Sequence, residues 1–460
     1  ELNRSFTNYF KECITKDSNQ FMIDAVQDYI DYVKQLEDRY LCSYGEVMTF
    51  GSGDCGQLAH GIEKDEDVMV KFPRIVYSLR DKKVVSIACG GLHNAVCTEE
   101  GLVYTWGCND DSSLGRVGDE NYPMLVQNLA NETIIRVACG DGQTLAVSTS
   151  GEVWGWGTYK DKEGKKWFHR TENSSTLQKQ HNEPYKIQGF PSNAHIVEVS
   201  CGSSFNIALC SNGKVYSWGI GESGELGRDV CPMKKKGEYD EVGILRDHLT
   251  PGKMLIQSST GQDIEAVGVK AIGCGAFHSL LVSAPYVYSC GLNNYGQLGI
   301  DSIDQKSKLT SIDTLEGLGV ISVKGGMHHS LALTSDGKIY AFGRADYGQL
   351  GLPDVNNKAG DCVGVPTEVT IPPPSGSNTP VFVDSISCGA NHNLAVVKNE
   401  VYTWGYGDML ALGHGVEKDE SLPRRLNLSK AIVDGGVIQK IIQVEGGGQH
   451  SAMIAVIRAI

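Results

Sequence analysis

GGMHHSLALTSDGKIYAFGRADYGQLGL, residues 325–352, states once, in full, the pattern that organises this chain. An apolar run starts at His329 and stops at the turn Thr334-Ser335-Asp336-Gly337. A second run, 339–342, ends in Gly343, and a Gly-containing turn leads on to Leu350. Asp-Gly between two strand-like runs marks a hairpin, because tight hairpin turns need residues that accept positive φ. Outward from this stretch the same pieces return. Runs like VYTWG end at Gly51, Gly107, Gly157, Gly219, Gly291, Gly343 and Gly405, which is six steps over 354 residues, a mean of 59. A second piece, a strand entering Gly with His, Gln or Phe three residues later, reads CGGLH (Gly90, His93), CGDGQ (Gly140, Gln143), CGSSF (Gly202, Phe205), CGAFH (Gly275, His278), GGMHH (Gly326, His329), CGANH (Gly389, His392) and GGGQH (Gly447, His450).

The repeat accounts for the composition. Gly makes up 55 of 460 residues, 12%, against an average near 7%, and the turns absorb that surplus. Length alone suggests roughly three domains of about 150 residues. A unit of three or four short strands cannot bury its own faces, whereas a closed ring of such units can. The expected fold is therefore all-β, a seven-bladed β-propeller over 45–460, closed by pairing the strand at 46–51 with strands near 440–457. Residues 1–44 form a separate extension. There Phe21, Val26, Tyr29, Ile30, Val33, Leu36 and Tyr40 follow helical spacing, which predicts a helix around 20–40 in a segment with eight acids and five bases.

Several function classes drop out. A net charge of −14 opposes nucleic-acid binding by bulk electrostatics. No apolar stretch of about 18 residues is present to span a membrane, and residues 1–16 carry no apolar signal-peptide region. The 14 cysteines form no C-x-x-C pair or zinc spacing, so most act as small hydrophobes in reduced form. GSGDCG (51–56) matches a dinucleotide fingerprint literally, but no helix pattern follows it, and GIGESG (219–224) repeats it as turn grammar. P-loop, H-E-x-x-H and G-x-S-x-G motifs are missing. No cofactor, metal or small-molecule substrate is expected, and the chain should be a monomer.

One unit breaks the pattern. Six turn clusters keep a Leu before Gly or Ala (Leu58, Leu114, Leu226, Leu298, Leu350, Leu412). The third instead reads TYKDKEGKKW, 158–167, a charged insertion. A repeat that departs from its siblings is where function is expected.

Taken together, GSGDCGQL (51–58), YTWGCNDDSSLGR (104–116), GWGTYKDKEG (155–164), YSWGIGESGELGR (216–228), GLNNYGQLG (291–299) and the opening stretch resemble the regulator of chromosome condensation family. That family contains the nuclear exchange factor for the small GTPase Ran, and the resemblance covers about 45–456. It implies a nuclear protein whose propeller face binds Ran. A hairpin wedge, here Thr158, Tyr159, Lys162, Glu163 and Gly164, loosens the bound nucleotide and Mg²⁺. The family's GTPase-facing acid and histidine map onto Asp141 in CGDGQ and His328 in GGMHH as the residues that drive exchange. A second family acid is replaced by Ser204 in CGSSF. Asp54, Lys160, Asp161, Arg228, Asn294 and His450 match other positions of the contact face. The histidines His93, His278, His329 and His392, which recur across units, are expected to be structural. Nucleosome contact, which the family makes through basic segments, finds only Lys234-Lys235-Lys236 and Arg246 here. An alternative reading is a non-catalytic scaffold of the same fold.

Overall fold

Why every VYTWG-like run ends in Gly is a backbone matter. All seven of these glycines sit at φ between +95° and +113°, where a side chain is strained. A Cβ on Gly107 would also lie 2.5 Å from the Leu92 carbonyl oxygen. The residue before each glycine (Phe50, Trp106, Trp156, Trp218, Cys290, Phe342, Trp404) is 0% exposed. These side chains fill the spaces between successive blades, as Trp106 does in a cluster with Val47, Ala59 and Val76 of the blade before it. Burying one large aromatic is worth about 4–6 kcal/mol at ~25 cal/mol/Å².

The computed structural model describes residues 44–170, 176–235, 238–258, 262–355, 358–374 and 381–459; the helix expected at 20–40 lies outside them. Among the described residues the strands assemble into seven antiparallel blades, numbered here from the sheet holding residue 46. Blade 3, for example, runs outward from Ile134–Cys139 through Gln143–Ser148 and Val153–Gly157 to His181–Lys186. Blade 5 carries two further short strands, Leu255–Ile256 and Ile264–Glu265, the first joined to Lys306–Ser311 in parallel. Blade 1 is composite. Its two outer strands, Glu46–Ser52 and Met69–Ile75, come from the start of the ring, and its two inner ones, Gly436–Gly446 and His450–Ala459, from the end. Glu46–Ser52 pairs with His450–Ala459 in the register Gly51↔His450 to Glu46↔Ala455, so the ring closes at the predicted place.

Neighbouring blades are also joined through their histidines. Nε2 of His93, His278, His329 and His392 reaches Thr144 (2.8 Å), Ser330 (2.8 Å), Asn393 (2.7 Å) and Ser451 (2.9 Å) of the following blade. Gln143 does the same work for blade 3, donating from Nε2 to the Gly202 carbonyl at 3.0 Å. In blade 4 the position is held by buried Phe205.

Candidate functional site

The loops that carry Asp141 and His328 are held by a circle of main-chain hydrogen bonds at one mouth of the central channel. Gly91 N–H donates to Gly140 C=O, Asp141 to Ser203, Ser203 to Ala276, Ala276 to Gly326, Met327 to Ala390, Ala390 to Gly447 and Gly448 to Gly90, all between 2.7 and 3.3 Å. Each link joins one blade to the next, so the circle returns to its start. Side chains on these loops therefore stand at fixed positions, as recognition requires. The channel beneath has a volume near 570 Å³ and is lined by Arg136, Glu198, Lys324 and Glu445, among others.

Asp141 is exposed at this mouth, yet protein surrounds it on most sides. That partial dehydration raises its carboxyl above the ordinary value, against the opposing hydrogen bond from Ser203 and the charge of Lys160, with Asp111 adding to the rise. His328 stacks on Phe277 (centroids 5.8 Å) and lies 5.1 Å from Tyr295. Burial first, then the charge of Arg344, brings its pKa down to about 4, against the pull of Asp346, so the ring is neutral at pH 7. Arg344 extends this arc, its guanidinium 4.9 Å from the Tyr295 ring and 5.4 Å from Tyr347, with Asp346 accepting from its Nη2 at 2.6 Å. Asp54 and Asn294 are exposed on their turns. Asp54 accepts from Ser52 Oγ at 3.2 Å, and Asn294 from Gln297 Nε2 at 3.1 Å.

The charged insertion of blade 3 is a small antiparallel hairpin, Tyr159–Lys160 paired with Lys166–Trp167. Gly164 supplies the positive φ (+80°) at its tip, where a Cβ would meet nothing within 4 Å. Lys162, Glu163 and Gly164 are exposed. The hairpin straddles its neighbours. Lys160 and Lys166 reach Asp111 of blade 2 (2.6 and 2.9 Å). Burial raises the Asp111 carboxyl, but these two ammonium groups outweigh it and hold it below the usual range. On the other side Lys162 N–H donates to Glu222 of blade 4 at 2.7 Å, and Lys160 N–H donates to Ser204 Oγ at 3.0 Å. Ser204 thus supports the hairpin, while the adjacent Ser203 supports Asp141.

Five expectations need correction. His450 is 0% exposed. Its Nε2 lies 2.7 Å from Asn94 Oδ1, so it is the staple that closes the ring between blades 1 and 2, not a contact-face residue. Arg228 turns inward, donating to Ser217 Oγ and C=O and to Thr250 C=O (3.1–3.2 Å), as Arg116 does toward Thr105 C=O. Asp161 is 8% exposed. Its carboxylate accepts from Glu163 N–H (3.0 Å), Lys165 N–H (2.9 Å) and Trp167 Nε1 (3.0 Å), knotting the hairpin turn rather than facing outward. Thr158 and Tyr159 are 1% and 2% exposed. They root the hairpin, with Thr158 donating to Lys179 C=O at 2.6 Å. The exposed part of the expected wedge is therefore Lys162, Glu163 and Gly164.

Tyr159 also repairs the break in the repeat. In the other joints a turn carbonyl accepts from the next blade. Gln57 C=O takes Asn94 Nδ2 (2.7 Å) and Trp106 Nε1 (2.9 Å), Ser113 C=O takes Thr144 and Trp156, and Gln349 C=O takes Asn393 and Trp404. Where the insertion removes that turn, the Tyr159 hydroxyl takes the carbonyl's place, accepting from Trp218 Nε1 at 3.2 Å and donating to Asn206 Oδ1 at 2.9 Å. Burial pushes that hydroxyl's pKa up. Sequence reasoning missed this role and missed a second hairpin, Lys234–Lys235 paired with Glu238–Tyr239, that packs on the first. The aligned Asn94, Asn206 and Asn393 were the available clue to the first; no periodicity marks the second.

Comparison with known proteins agrees with this geometry. The sequence model of the RCC1-like domain matches residues 46–453. The chain is 32% identical over 420 residues to the mouse Regulator of chromosome condensation, covering 89% of this chain and 90% of that protein. It is 28% identical over 489 residues to the Saccharomyces cerevisiae Guanine nucleotide exchange factor SRM1, covering 95% and 92%. The crystal structure of Prp20p from Saccharomyces cerevisiae, described with that protein's binding properties to Gsp1p and histones, superposes with a TM-score of 0.76 at 27% identity, covering 93% of this chain and 95% of that one. On its seven blades, its composite closing blade and this match across nearly the whole ring, the chain belongs to the RCC1-like domain family.

Proposed function

We propose that this chain is a guanine-nucleotide exchange factor for the small GTPase Ran, acting in the nucleus and performing no covalent chemistry of its own. The observation that carries the reading is the charged hairpin of blade 3. It projects beside the loop of Asp141, on the circle of loops that also carries His328, with its tip exposed. Exchange requires the nucleotide-free GTPase to be bound more tightly than the nucleotide-bound one, so that occupancy of the face and loss of the nucleotide favour each other. A rigid ring of loops presenting Asp141, neutral His328 and the aromatic arc supplies the docking surface. On this reading the tip residues Lys162 and Glu163 enter the region the nucleotide and Mg²⁺ occupy. Histones are a second partner class, suggested by the Prp20p relative; direct contact with DNA is not proposed, given the net charge of −14.

Ran loaded with labelled GDP should lose it rapidly when the chain is added. Replacing Asp141 with Ala should slow that release about 10–100-fold, the value of one charge-assisted hydrogen bond at an interface. Release at the intrinsic rate in the presence of the unaltered chain refutes the reading.

The alternative, a scaffold that keeps the fold without exchange, is favoured by Ser204 at the position of a family acid. Ser204→Asp would place a carboxylate against Lys160 N–H. On the exchange reading it changes an already active chain by about 3-fold or less, because the hairpin is already held. A gain of two orders of magnitude from a near-intrinsic rate would favour the scaffold.

A further inference from the structure

We infer that the second hairpin, Lys234–Lys235 with Glu238–Tyr239, is a brace that fixes the projecting pose of the charged hairpin, and that Tyr239 is a positioning residue for nucleotide release. The catalytic half of this inference rests on the exchange reading; the bracing half does not.

A hairpin of two-residue strands cannot hold itself up in water, and the tip at 162–164 is exposed. Lys160 and Lys166 tie its base to Asp111 and Ser204, and Lys162 N–H ties the start of the turn to Glu222. The rest of the turn is held by Tyr239. The Tyr239 hydroxyl lies 3.4 Å from Asp161 Oδ2 and 3.3 Å from Glu163 Oε2. Its ring sits 4.8 Å from the Trp167 ring. Lys165 Nζ is 3.6 Å from the Tyr239 ring centroid and 3.9 Å from that of Trp167, so one ammonium is held between two aromatic faces. Lys234 adds an ion pair to Glu163. Tyr239 and Lys234 together therefore reach Asp161, Glu163, Lys165 and Trp167, which is every second residue around the turn and one strand below it.

A brace must itself be anchored, and this one is. Asp240, next in the chain, accepts from Gly243 N–H at 3.0 Å and caps a short helix, Glu241–Gly243, that runs on into Ile244–Leu249. Ile244 (0% exposed) and Leu249 (2%) lie in the core shared by blades 3 and 4. The charged hairpin springs from blade 3 and its support from the long loop between the third and fourth strands of blade 4. A swing of the tip would break contacts with both blades, and this rigidity lets the tip act on a bound nucleotide instead of yielding to it.

The test uses the full chain with Tyr239→Ala and Tyr239→Phe, read by amide hydrogen exchange over 160–166 and by GDP release from Ran at varied chain concentration. In Tyr239→Ala these amides should exchange about 10-fold faster or more and the maximal release rate should fall about 10-fold or more, while KM stays within about 3-fold and the melting midpoint holds. Tyr239→Phe keeps the ring contacts and should recover both readouts to within about 3-fold. A surface version leaves the core untouched: Lys234→Glu alone should speed the same amides, and combining it with Glu163→Lys should slow them again. Unchanged amides in Tyr239→Ala overturn the brace. Faster amides with an unaltered maximal rate, or an effect on KM alone, overturn the positioning role. A wild-type chain that fails to release GDP removes the exchange reading, and the amide comparison still decides the brace.

Discussion

Lowering the pH from about 7.5 to about 5.5 should destabilise the ring by about 5 kcal/mol net, comparable to the whole stability of a marginal protein. The reason lies in the inter-blade staples. Burial brings the pKa of His93, His329 and His392 down to about 4, and that of His278 and His450 to about 3. Each ring uses Nε2 for its staple. In His278, His329 and His450 the buried Nδ1 has no partner among the described residues, so an added proton would find no acceptor. The sign follows. Below the unfolded value of about 6.5 the unfolded chain takes up a proton at each site that the folded chain refuses, so stability present above that pH is lost as pH falls. One such site loses about 1.4 kcal/mol at a pH one unit below its unfolded pKa, and five add to about 7. Glu225 opposes this as a single group, because burial raises its carboxyl to about 7 and the folded state gains from protonating it. Urea unfolding followed at stepped pH measures the effect. His93→Phe, which copies the arrangement at Phe205, should remove about one proton from the slope. Stability flat between about pH 7.5 and 5.5 would refute the account.

Tyr159→Phe should cost about 1–2 kcal/mol, the value of a buried hydroxyl that serves two partners. The ring stays, stacked on Phe168 at 5.2 Å, so no cavity opens. What goes is the hydroxyl that donates to Asn206 Oδ1 and accepts from Trp218 Nε1, while Trp218 Nε1 keeps Asn206 Oδ1 as an acceptor at 3.2 Å. Urea midpoints with an unchanged m-value would report this directly. A Tyr159→Phe chain within about 0.5 kcal/mol of the original would show that the hydroxyl is not the acceptor of this joint. The same substitution loosens the root of the charged hairpin, so nucleotide release should slow with it.

The blade count, the turns and the point of closure were legible in the amino-acid sequence because each is written locally and then repeated. A hairpin turn needs positive φ, a strand needs alternation, and the residue before each repeat glycine must fill an inter-blade gap. Even the place of His450 was legible, since GGGQH stands in register with CGGLH and CGANH, and burial of one such histidine implies burial of the others. What the repeat could not state is which way a side chain turns once the pattern breaks. Arg228 folds back onto its own blade and Asp161 onto its own turn, since inward carbonyls and N–H groups offer them partners that water does not need to supply. Tyr159 replaces a main-chain carbonyl, and Tyr239 supports a hairpin 76 residues earlier in sequence. Those pairings depend on which groups the closed ring brings within hydrogen-bonding reach, so the tertiary structure alone decided them.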